Sequence, residues 1–273
     1  MTVNSHLTAL SNFAIVRDRE RDSIQRSLAT LQDRLNRHFG TNISDQFVFG
    51  SYSRNTILPR SMNANSDVDY MIVFTDSSAR PQTYLNRLRR FVEAYYSRSE
   101  IFQSNPTIVL SLNHIKFELV PAINDWFSGL KIPAKTSAYE DWISTDPTGF
   151  NQQLTSANQA HANLIKPLIR IMKYWNARNR YPFDSYELEQ DIVHHDFGFF
   201  GLFMRKQLKD YFYDYAGQVD VGLFAPQWKK DAVARFKRIV AESQRLERDG
   251  YPATAEKQIK QLLPLPGLLG GVL

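Results

Sequence analysis

Apolar residues recur at helical spacing early in the chain. They follow one another at intervals of four, three and four, with Arg, Asp, Glu and Gln between them: Ile24, Leu28, Leu31 and Leu35. This spacing places them on one face of a helix. We therefore predict one long helix from about Asn12 to Arg37, ended by Gly40 and packed behind the lobe that follows.

After this helix, the spacing of apolar residues changes to one that is typical of β-strands. Asp67–Phe74 (DVDYMIVF) is rich in residues that favour extended structure. The other elements predicted in this region are a strand at Phe47–Phe49, a helix at Pro81–Ser97, and a hairpin of Ile108–Leu112 and His114–Val120 with Asn113 near its turn.

Beyond about Asp146 the pattern is mainly helical. The predicted helices are Ala157–Arg178, kinked at or beginning near Pro167, then Ser185–His194, Phe197–Tyr211 and Pro226–Arg248. The fold class is α+β. We expect a first lobe at 1–145, a helical lobe at 146–263 with the active site in a cleft between the two, and a mobile tail at 264–273.

The amino-acid composition limits the expected location and binding partners of the protein. The chain has 273 residues, 43% of them hydrophobic and 22% charged, with no Cys. It lacks both an apolar run of about 20 residues and a signal-peptide pattern, so we expect a soluble, cytoplasmic protein without a membrane partner. The net charge of +5 suits a polyanionic ligand but is unremarkable by itself. No concentrated Lys/Arg run demands a stable nucleic-acid partner.

Two carboxylates are spaced for metal binding. Asp67 and Asp69 are two apart on a predicted strand, so both side chains project from one face. Neighbouring carboxylates repel unless a cation lies between them. Oxygen-only ligation favours Mg²⁺, with Mn²⁺ as an alternative.

A third acid lies in the predicted hairpin. Glu118 is polar on a strand whose alternate face carries Ile115, Phe117 and Leu119. If this strand is beside the Asp67 strand, three carboxylates converge and can hold two metal ions. Two ions about 4 Å apart can activate an attacking hydroxyl and stabilise leaving pyrophosphate. Glu118 could also help to take the proton of that hydroxyl.

A glycine turn precedes these acids. Gly50-Ser51-Tyr52-Ser53-Arg54 follows the strand at Phe47–Phe49. Glycine lets the backbone approach a phosphate closely, and the following amides and the Ser51 hydroxyl can donate to phosphate oxygens. Arg54 or Arg60 would add positive charge. The turn gains specificity from its place one strand before Asp-x-Asp.

Together these motifs resemble the DNA polymerase β-type nucleotidyltransferases, and within them the bacterial cyclic-oligonucleotide synthases (CD-NTases), relatives of cyclic GMP–AMP synthase and the oligoadenylate synthetases. The residues that carry the resemblance are Gly50–Thr56, Ser66–Asp69, Phe117–Ala122, Leu168–Asn176 and Ser185–Glu189. The resemblance covers roughly Phe47 to Glu189.

The resemblance implies a role for each matched residue. Gly50 and Ser51 would hold the donor triphosphate, which Lys173 and Ser185 would also reach. Tyr186 would stack on the donor base, a contact worth about 1–3 kcal/mol. The metal ligands would be Asp67, Asp69 and Glu118. The family more often has Asp at the third position; Glu keeps the charge but adds a methylene, which changes the metal spacing.

The implied activity is the joining of ribonucleoside triphosphates into a cyclic or short linear oligonucleotide second messenger, with release of pyrophosphate, in antiphage signalling through a separate effector. Alternatives with the same carboxylates are nucleotide addition to an RNA end and AMP transfer to a protein or small molecule. An alternative of another class is a non-catalytic nucleotide-binding scaffold. Regulatory or effector proteins encoded nearby are possible partners, and Gly270-Gly271 is a candidate conjugation site.

Structural explanations compete with some of these roles. Asp67 and Asp69 would otherwise be a solvated strand edge, and Glu118 would form a surface ion pair with Lys116 or a neighbouring basic residue. Other structural explanations are a solvated helix lysine for Lys173, a helix N-cap for Ser185 and core packing for Tyr186. His194-His195-Asp196 invites a metal-site interpretation, but adjacent helix residues point about 100° apart and no further ligand is evident.

Overall fold

A computed structural model describes residues 2–104, 106–125, 129–134, 141–198 and 206–267. The chain forms two compact units, each with its own core. The sheet unit comprises Val16–Arg60 and Ala64–Asn151, and the helical unit comprises Met1–Ile15, Ser61–Asn63 and Gln152–Leu273. The first fifteen residues thus group with the helical residues, whereas the predicted boundary after residue 145 placed them in the first lobe.

Two helices stand where one was predicted. Helix α1 is Val3–Phe13 and helix α2 is Asp18–Phe39. The prediction of one helix from Asn12 to Arg37 is wrong because the apolar faces of α1 and α2 belong to different units. The predicted stop is confirmed: Gly40 ends α2 with a φ of 52°, a backbone conformation that glycine adopts at little cost.

The sheet unit is built on a mixed sheet. Among the described residues its strand order is β1-β2-β5-β4-β3, and β6 pairs with β5 and with β7. Strands β2 and β5 are parallel, and the other pairs are antiparallel. The strands are β1 Ile43–Phe49, β2 Asp67–Phe74, β3 Glu100–Ser104, β4 Thr107–Ser111, β5 Lys116–Asp125, β6 Gly129–Pro133 and β7 Trp142–Ser144.

The two faces of the sheet differ in their packing. One face carries Tyr70, Ile72 and Phe117 into a large core with the apolar stripes of α2 and of α4 (Pro81–Tyr95). The opposite face carries a smaller cluster that includes Met71 and Val73. Alternation along β2 therefore places Asp67 and Asp69 on the face with the smaller cluster, away from α2 and α4.

The helical unit is organised around a helix that is buried along most of its length. Helix α6 contributes Leu168, Met172 and Trp175, all fully buried, and the Trp175 ring lies 4.6 Å from that of Phe236. Beyond the short α3 (Gly50–Ser53), the remaining helices are α5 Pro147–Ala160, α6 Ile165–Arg178, α7 Ser185–His194, α8 Leu208–Gln218, α9 Gln227–Arg248 and α10 Pro252–Leu262.

Several helix predictions need correction. The predicted helix Ala157–Arg178 is two helices; α6 begins at Ile165, and Pro167 occupies its first turn, where a missing N–H costs little. The predicted helix Phe197–Tyr211 corresponds to α8, which starts at Leu208, although residues 199–205 lie outside the described residues. Helix α10 was not predicted. Gly270-Gly271 also lies outside the described residues.

The fold class predicted from the sequence is confirmed as α+β, with a mixed sheet and a helical C-terminal part. Within the ranges that the structure describes, no helix combines the length and apolar character needed to cross a membrane.

A buried histidine joins the beginning of the helical unit to its end. His6 is 2% exposed, and its Nε2 lies 2.8 Å from the carbonyl oxygen of Leu263. Because a carbonyl oxygen only accepts, this contact requires the proton on Nε2. Burial lowers the pKa of His6 below its usual 6.5, which means that folding favours the neutral ring.

We predict that His6 makes stability depend on pH. A lowered folded-state pKa gives stability that is present above pH 6.5 and is lost as the pH falls through the folded-state pKa. His6→Gln keeps a donor but cannot titrate there. Denaturant unfolding at pH 7.5 and pH 5 should therefore show a smaller loss for the variant than for the wild type. Some dependence will remain, because burial also lowers the pKa of His161; equal losses would contradict the prediction.

Candidate active site

Strand pairing brings the predicted carboxylates to adjacent strands. In the parallel β2–β5 pair, Asp69 lies opposite Glu118, and Asp67 lies opposite Lys116. Parallel neighbours are separated by about 4.8 Å, so side chains at paired positions share one face. All three acids are half-buried, which leaves part of each side chain open to solvent. The expectation that the Glu118 strand lies beside the Asp67 strand is thus confirmed.

The glycine turn is in direct contact with this face. Phe49, the last residue of β1, pairs with Asp69 on β2, and the chain turns at Gly50 immediately afterwards. Gly50 has a φ of +68°, and a Cβ at this position would stand 1.8 Å from Asp69 Oδ2. Two independent constraints therefore demand glycine: the backbone angle and the carboxylate packed against Cα.

Hydrogen bonds fix the orientation of the peptides in the turn. The Gly50 carbonyl accepts from the Arg54 N–H, and the Ser51 carbonyl accepts from the N–H groups of Thr56 and Ile57 at 2.9 and 3.1 Å. In a trans peptide the N–H points opposite to the C=O. The amides of Ser51 and Tyr52 therefore point away from residues 54–57, the arrangement that a phosphate-binding turn requires.

A threonine missed in the sequence analysis contacts the third acid. Thr107 Oγ1 lies 3.4 Å from Glu118 Oε2 and donates to the Ser104 carbonyl at 2.7 Å. Thr107 is 5% exposed, so its side chain is held in place beside the Glu118 carboxylate. No local motif signals this contact, because it depends on the antiparallel pairing of β4 with β5.

The donor set fits a hard divalent cation by its chemistry. Three half-buried carboxylates on one face of two neighbouring strands supply only oxygen ligands, which Mg²⁺ and Mn²⁺ prefer. Among the residues described, no three His, Cys, Asp or Glu side chains are gathered closely enough to hold an ion as they stand. Metal binding at Asp67, Asp69 and Glu118 therefore requires their side chains to draw together.

Arg54 occupies a more enclosed position than a surface phosphate ligand. It is 6% exposed, and its guanidinium lies 5.1 Å from the centre of the Phe150 ring. This is cation–π geometry, which fixes the side chain within the sheet unit. Little of its surface is open to a ligand.

Lys173 forms a buried ion pair in the helical unit. Its Nζ lies 2.7 Å from Glu189 Oε1, and the side chains are 8% and 1% exposed. The pair links α6 to α7, so the interpretation of Lys173 as a solvated helix lysine is wrong. The near-complete burial of Glu189 indicates a structural role for this residue. Neither residue type nor spacing identifies the pair in advance.

The start of α7 presents the other two predicted ligands. The N-cap is Asp184, whose carboxylate accepts from the N–H groups of Tyr186 and Glu187, so the alternative role of Ser185 as a helix N-cap is wrong. An acidic residue directly before a helical pattern is a usual cap and could have been recognised. Ser185 is half-buried in the first turn. Tyr186 is 44% exposed, which excludes the core-packing alternative.

The comparisons with known proteins agree with the geometry. The family profile of the Second Messenger Oligonucleotide or Dinucleotide Synthetase domain matches residues 1–158, more than half of the chain. The chain belongs to this family, which confirms the predicted resemblance to the CD-NTases. A similar curated protein is a probable cyclic nucleotide synthase of Bacillus cereus (strain VD146), 25% identical over 203 residues. That match covers 60% of this chain and 60% of the relative, so the chain spans less than two thirds of it.

Solved CD-NTase structures share the fold. The GTP complex of the CD-NTase CdnG from Bradyrhizobium diazoefficiens aligns with a TM-score of 0.69 at 11% identity, covering 95% of this chain and 98% of that one. The STING-associated CdnE c-di-GMP synthase of Capnocytophaga granulosa gives 0.66 at 13% identity, covering 96% and 88%. At such identities the likeness concerns the fold alone.

We predict that Gly50→Ala costs more stability than the same change at a matched glycine. Gly129, in the same unit, has a φ of +71° with nothing within 4 Å of a built Cβ. Gly129→Ala should cost only the backbone penalty of about 1–2 kcal/mol. Gly50→Ala should cost about 1–3 kcal/mol more, because the new methyl group must displace Asp69. Chemical denaturation measures the free energy of unfolding of both variants. Equal losses would show that contact with the Asp69 carboxylate adds nothing to the cost of the substitution at Gly50.

We predict that Lys173→Met destabilises the protein by about 3–5 kcal/mol, since it removes the lysine from the buried ion pair with Glu189. Lys173→Met/Glu189→Gln should recover most of that loss because no buried charge remains. Denaturant midpoints of the two variants provide the measurement. A double variant as unstable as the single one would refute this account of the pair.

Proposed function

We propose that this protein is a metal-dependent nucleotidyltransferase. It would join ribonucleoside triphosphates into a cyclic or short linear oligonucleotide and release pyrophosphate. One observation carries the proposal: the Asp69 carboxylate packs on the phosphate-binding turn at Gly50 and is paired in register with Glu118. Carboxylates for cations and amides for phosphate thus meet at one end of the sheet. Membership of the family supports the same reaction.

The carboxylates would hold two divalent ions, Mg²⁺ or Mn²⁺, at Asp67, Asp69 and Glu118. When bound, these ions supply charge neutralisation of the phosphates and a lowered pKa for the acceptor hydroxyl. Glu118, held beside Thr107, would assist by accepting the proton of that hydroxyl. The protein's own contribution is then mainly positioning and electrostatic preorganisation.

The remaining predicted residues receive roles within this proposal. Gly50 and Ser51 would donate backbone and hydroxyl hydrogen bonds to the donor triphosphate. Lys173 and Ser185 would also bind the triphosphate, and the exposed ring of Tyr186 would stack on the base. Arg54 would stabilise the turn through its contact with Phe150 rather than bind phosphate. The product would act on a separate effector in antiphage signalling.

The proposal predicts a small product that depends on the two aspartates. Purified protein should be incubated with all four ribonucleoside triphosphates and Mg²⁺ or Mn²⁺, treated with phosphatase and analysed by mass spectrometry. We expect a phosphatase-resistant oligonucleotide if the product is cyclic. The Asp67→Ala/Asp69→Ala variant should lose at least about a hundredfold in rate, equivalent to about 2.7 kcal/mol of transition-state stabilisation.

A matched variant controls for the loss of an acid elsewhere. Glu93 is exposed on α4, and Glu93→Gln should retain wild-type activity. Product formation that persists in Asp67→Ala/Asp69→Ala would overturn the mechanism. Parallel reactions with an RNA or protein acceptor test the alternatives, because label that appears only on a macromolecule would replace the proposed product with an RNA-end or AMP transferase.

A further inference from the structure

A second site rich in positive charge lies on the helical unit. A groove of about 750 Å³ runs along α9 and α10, and it is called here the arginine groove. This volume falls in the range of pockets that hold one small molecule. Its lining includes Arg235, Arg238, Arg245 and Arg248 of α9, and Gln258 and Gln261 of α10.

One of the arginines is neutralised within its own helix. Arg245 donates to both carboxylate oxygens of Glu242, at 3.0 and 2.7 Å, and to Asp249 at 2.8 Å. The hydrogen bond from Arg245 lowers the pKa of Glu242, so this carboxylate remains ionised at neutral pH. Glu242 is therefore engaged, although its position four residues after Arg238 would suit an ion pair with that residue.

The other arginines of the groove have no acidic partner among the described residues. Arg235, Arg238 and Arg248 are exposed, and within the described part of the chain none has a hydrogen-bond or ion-pair partner. With Arg245, Glu242 and Asp249 included, the local formal charge is +2. Like charges on one helix face destabilise the helix unless a counter-charge is supplied. The groove thus presents guanidinium donors that no described residue of the helical unit uses.

The lining indicates which anion fits. A guanidinium presents a planar fork that binds phosphate with two hydrogen bonds, so several free guanidinium groups select a ligand with more than one phosphate. Ile239 and Ala241 offer apolar surface, and Gln258 and Gln261 offer amides that both donate and accept. No aromatic ring is found among the described residues that line the groove, which disfavours the successive base stacking used to bind single-stranded nucleic acid.

We propose that the arginine groove is a binding site for a small polyphosphate anion, such as a nucleoside triphosphate or inorganic polyphosphate, separate from the carboxylate site on the sheet. The residues that bind the phosphates are Arg235, Arg238 and Arg248. Arg245, held by its hydrogen bonds to Glu242 and Asp249, lies one turn from Arg248 and is not counted among the phosphate-binding residues. This site does not depend on the proposed catalytic reaction.

The test measures binding in a protein that lacks the catalytic carboxylates. In the Asp67→Ala/Asp69→Ala background, without divalent metal, ATP and inorganic tripolyphosphate are added separately and followed by hydrogen exchange and titration calorimetry. We expect slowed exchange in peptides from Gln227–Arg248 and Pro252–Leu262. Adding Arg235→Gln, Arg238→Gln and Arg248→Gln should abolish that protection and weaken binding at least tenfold.

A charge-matched control removes equal charge from exposed positions outside the groove, with Arg90→Gln, Arg98→Gln and Lys257→Gln. It should retain the protection, with affinity within twofold of the background protein. Equal binding of the two probes shows recognition of phosphates alone, whereas tighter ATP binding adds a contact to the nucleoside; both support the site. The proposal fails if protection is absent or survives the three groove substitutions. It also fails if a 20-nucleotide RNA protects these helices while neither small probe does.

Discussion

The parallel pairing of β2 with β5 is the constraint on which the candidate active site depends. It is in register from Asp67 and Lys116 to Phe74 and Ile123, so the position of Glu118 relative to Asp69 is set along the whole length of the pair. A slip of one residue would turn the apolar residues of one strand from the α2–α4 core to the opposite face and carry an acid into that core. The burial that stabilises the sheet therefore also keeps the carboxylates on their common face.

The spacing of apolar residues predicted the helices and strands that bury either one face or nearly their whole surface. Strand β2 and helix α7 have the predicted limits, Asp67–Phe74 and Ser185–His194. The strands that escaped prediction, β3, β6 and β7, are short and lie toward the margins of the sheet, where burial imposes a weaker pattern. The break between α1 and α2 was not predicted, because it contains no Pro or Gly. Which unit each apolar face packs into depends on the tertiary structure and not on the local sequence.

Some features of the candidate active site can likewise be predicted from the local sequence, whereas others depend on contacts between distant parts of the chain. The spacing of Asp67 and Asp69 and the glycine turn are local patterns, and the structure places Asp69 against the turn at Gly50. The Thr107–Glu118 and Lys173–Glu189 contacts join residues that are 11 and 16 positions apart on different elements. Their formation depends on how strands and helices pair, which residue types alone do not specify. Asp184 is different, because its capping role could be inferred from the sequence.

The burial of Lys173 bears on whether one residue can serve both structure and ligand binding. An ammonium group has three N–H donors, and Glu189 accepts one of them at 2.7 Å. Removing one member of a buried ion pair is costly, because the charge that stays behind is desolvated and loses that partner. The hydrogen bond to Glu189 holds Nζ in a defined place between α6 and α7. The ion pair and the proposed contact with a triphosphate are therefore compatible in hydrogen-bonding capacity, because the bond to Glu189 uses one of the three N–H donors of the ammonium group.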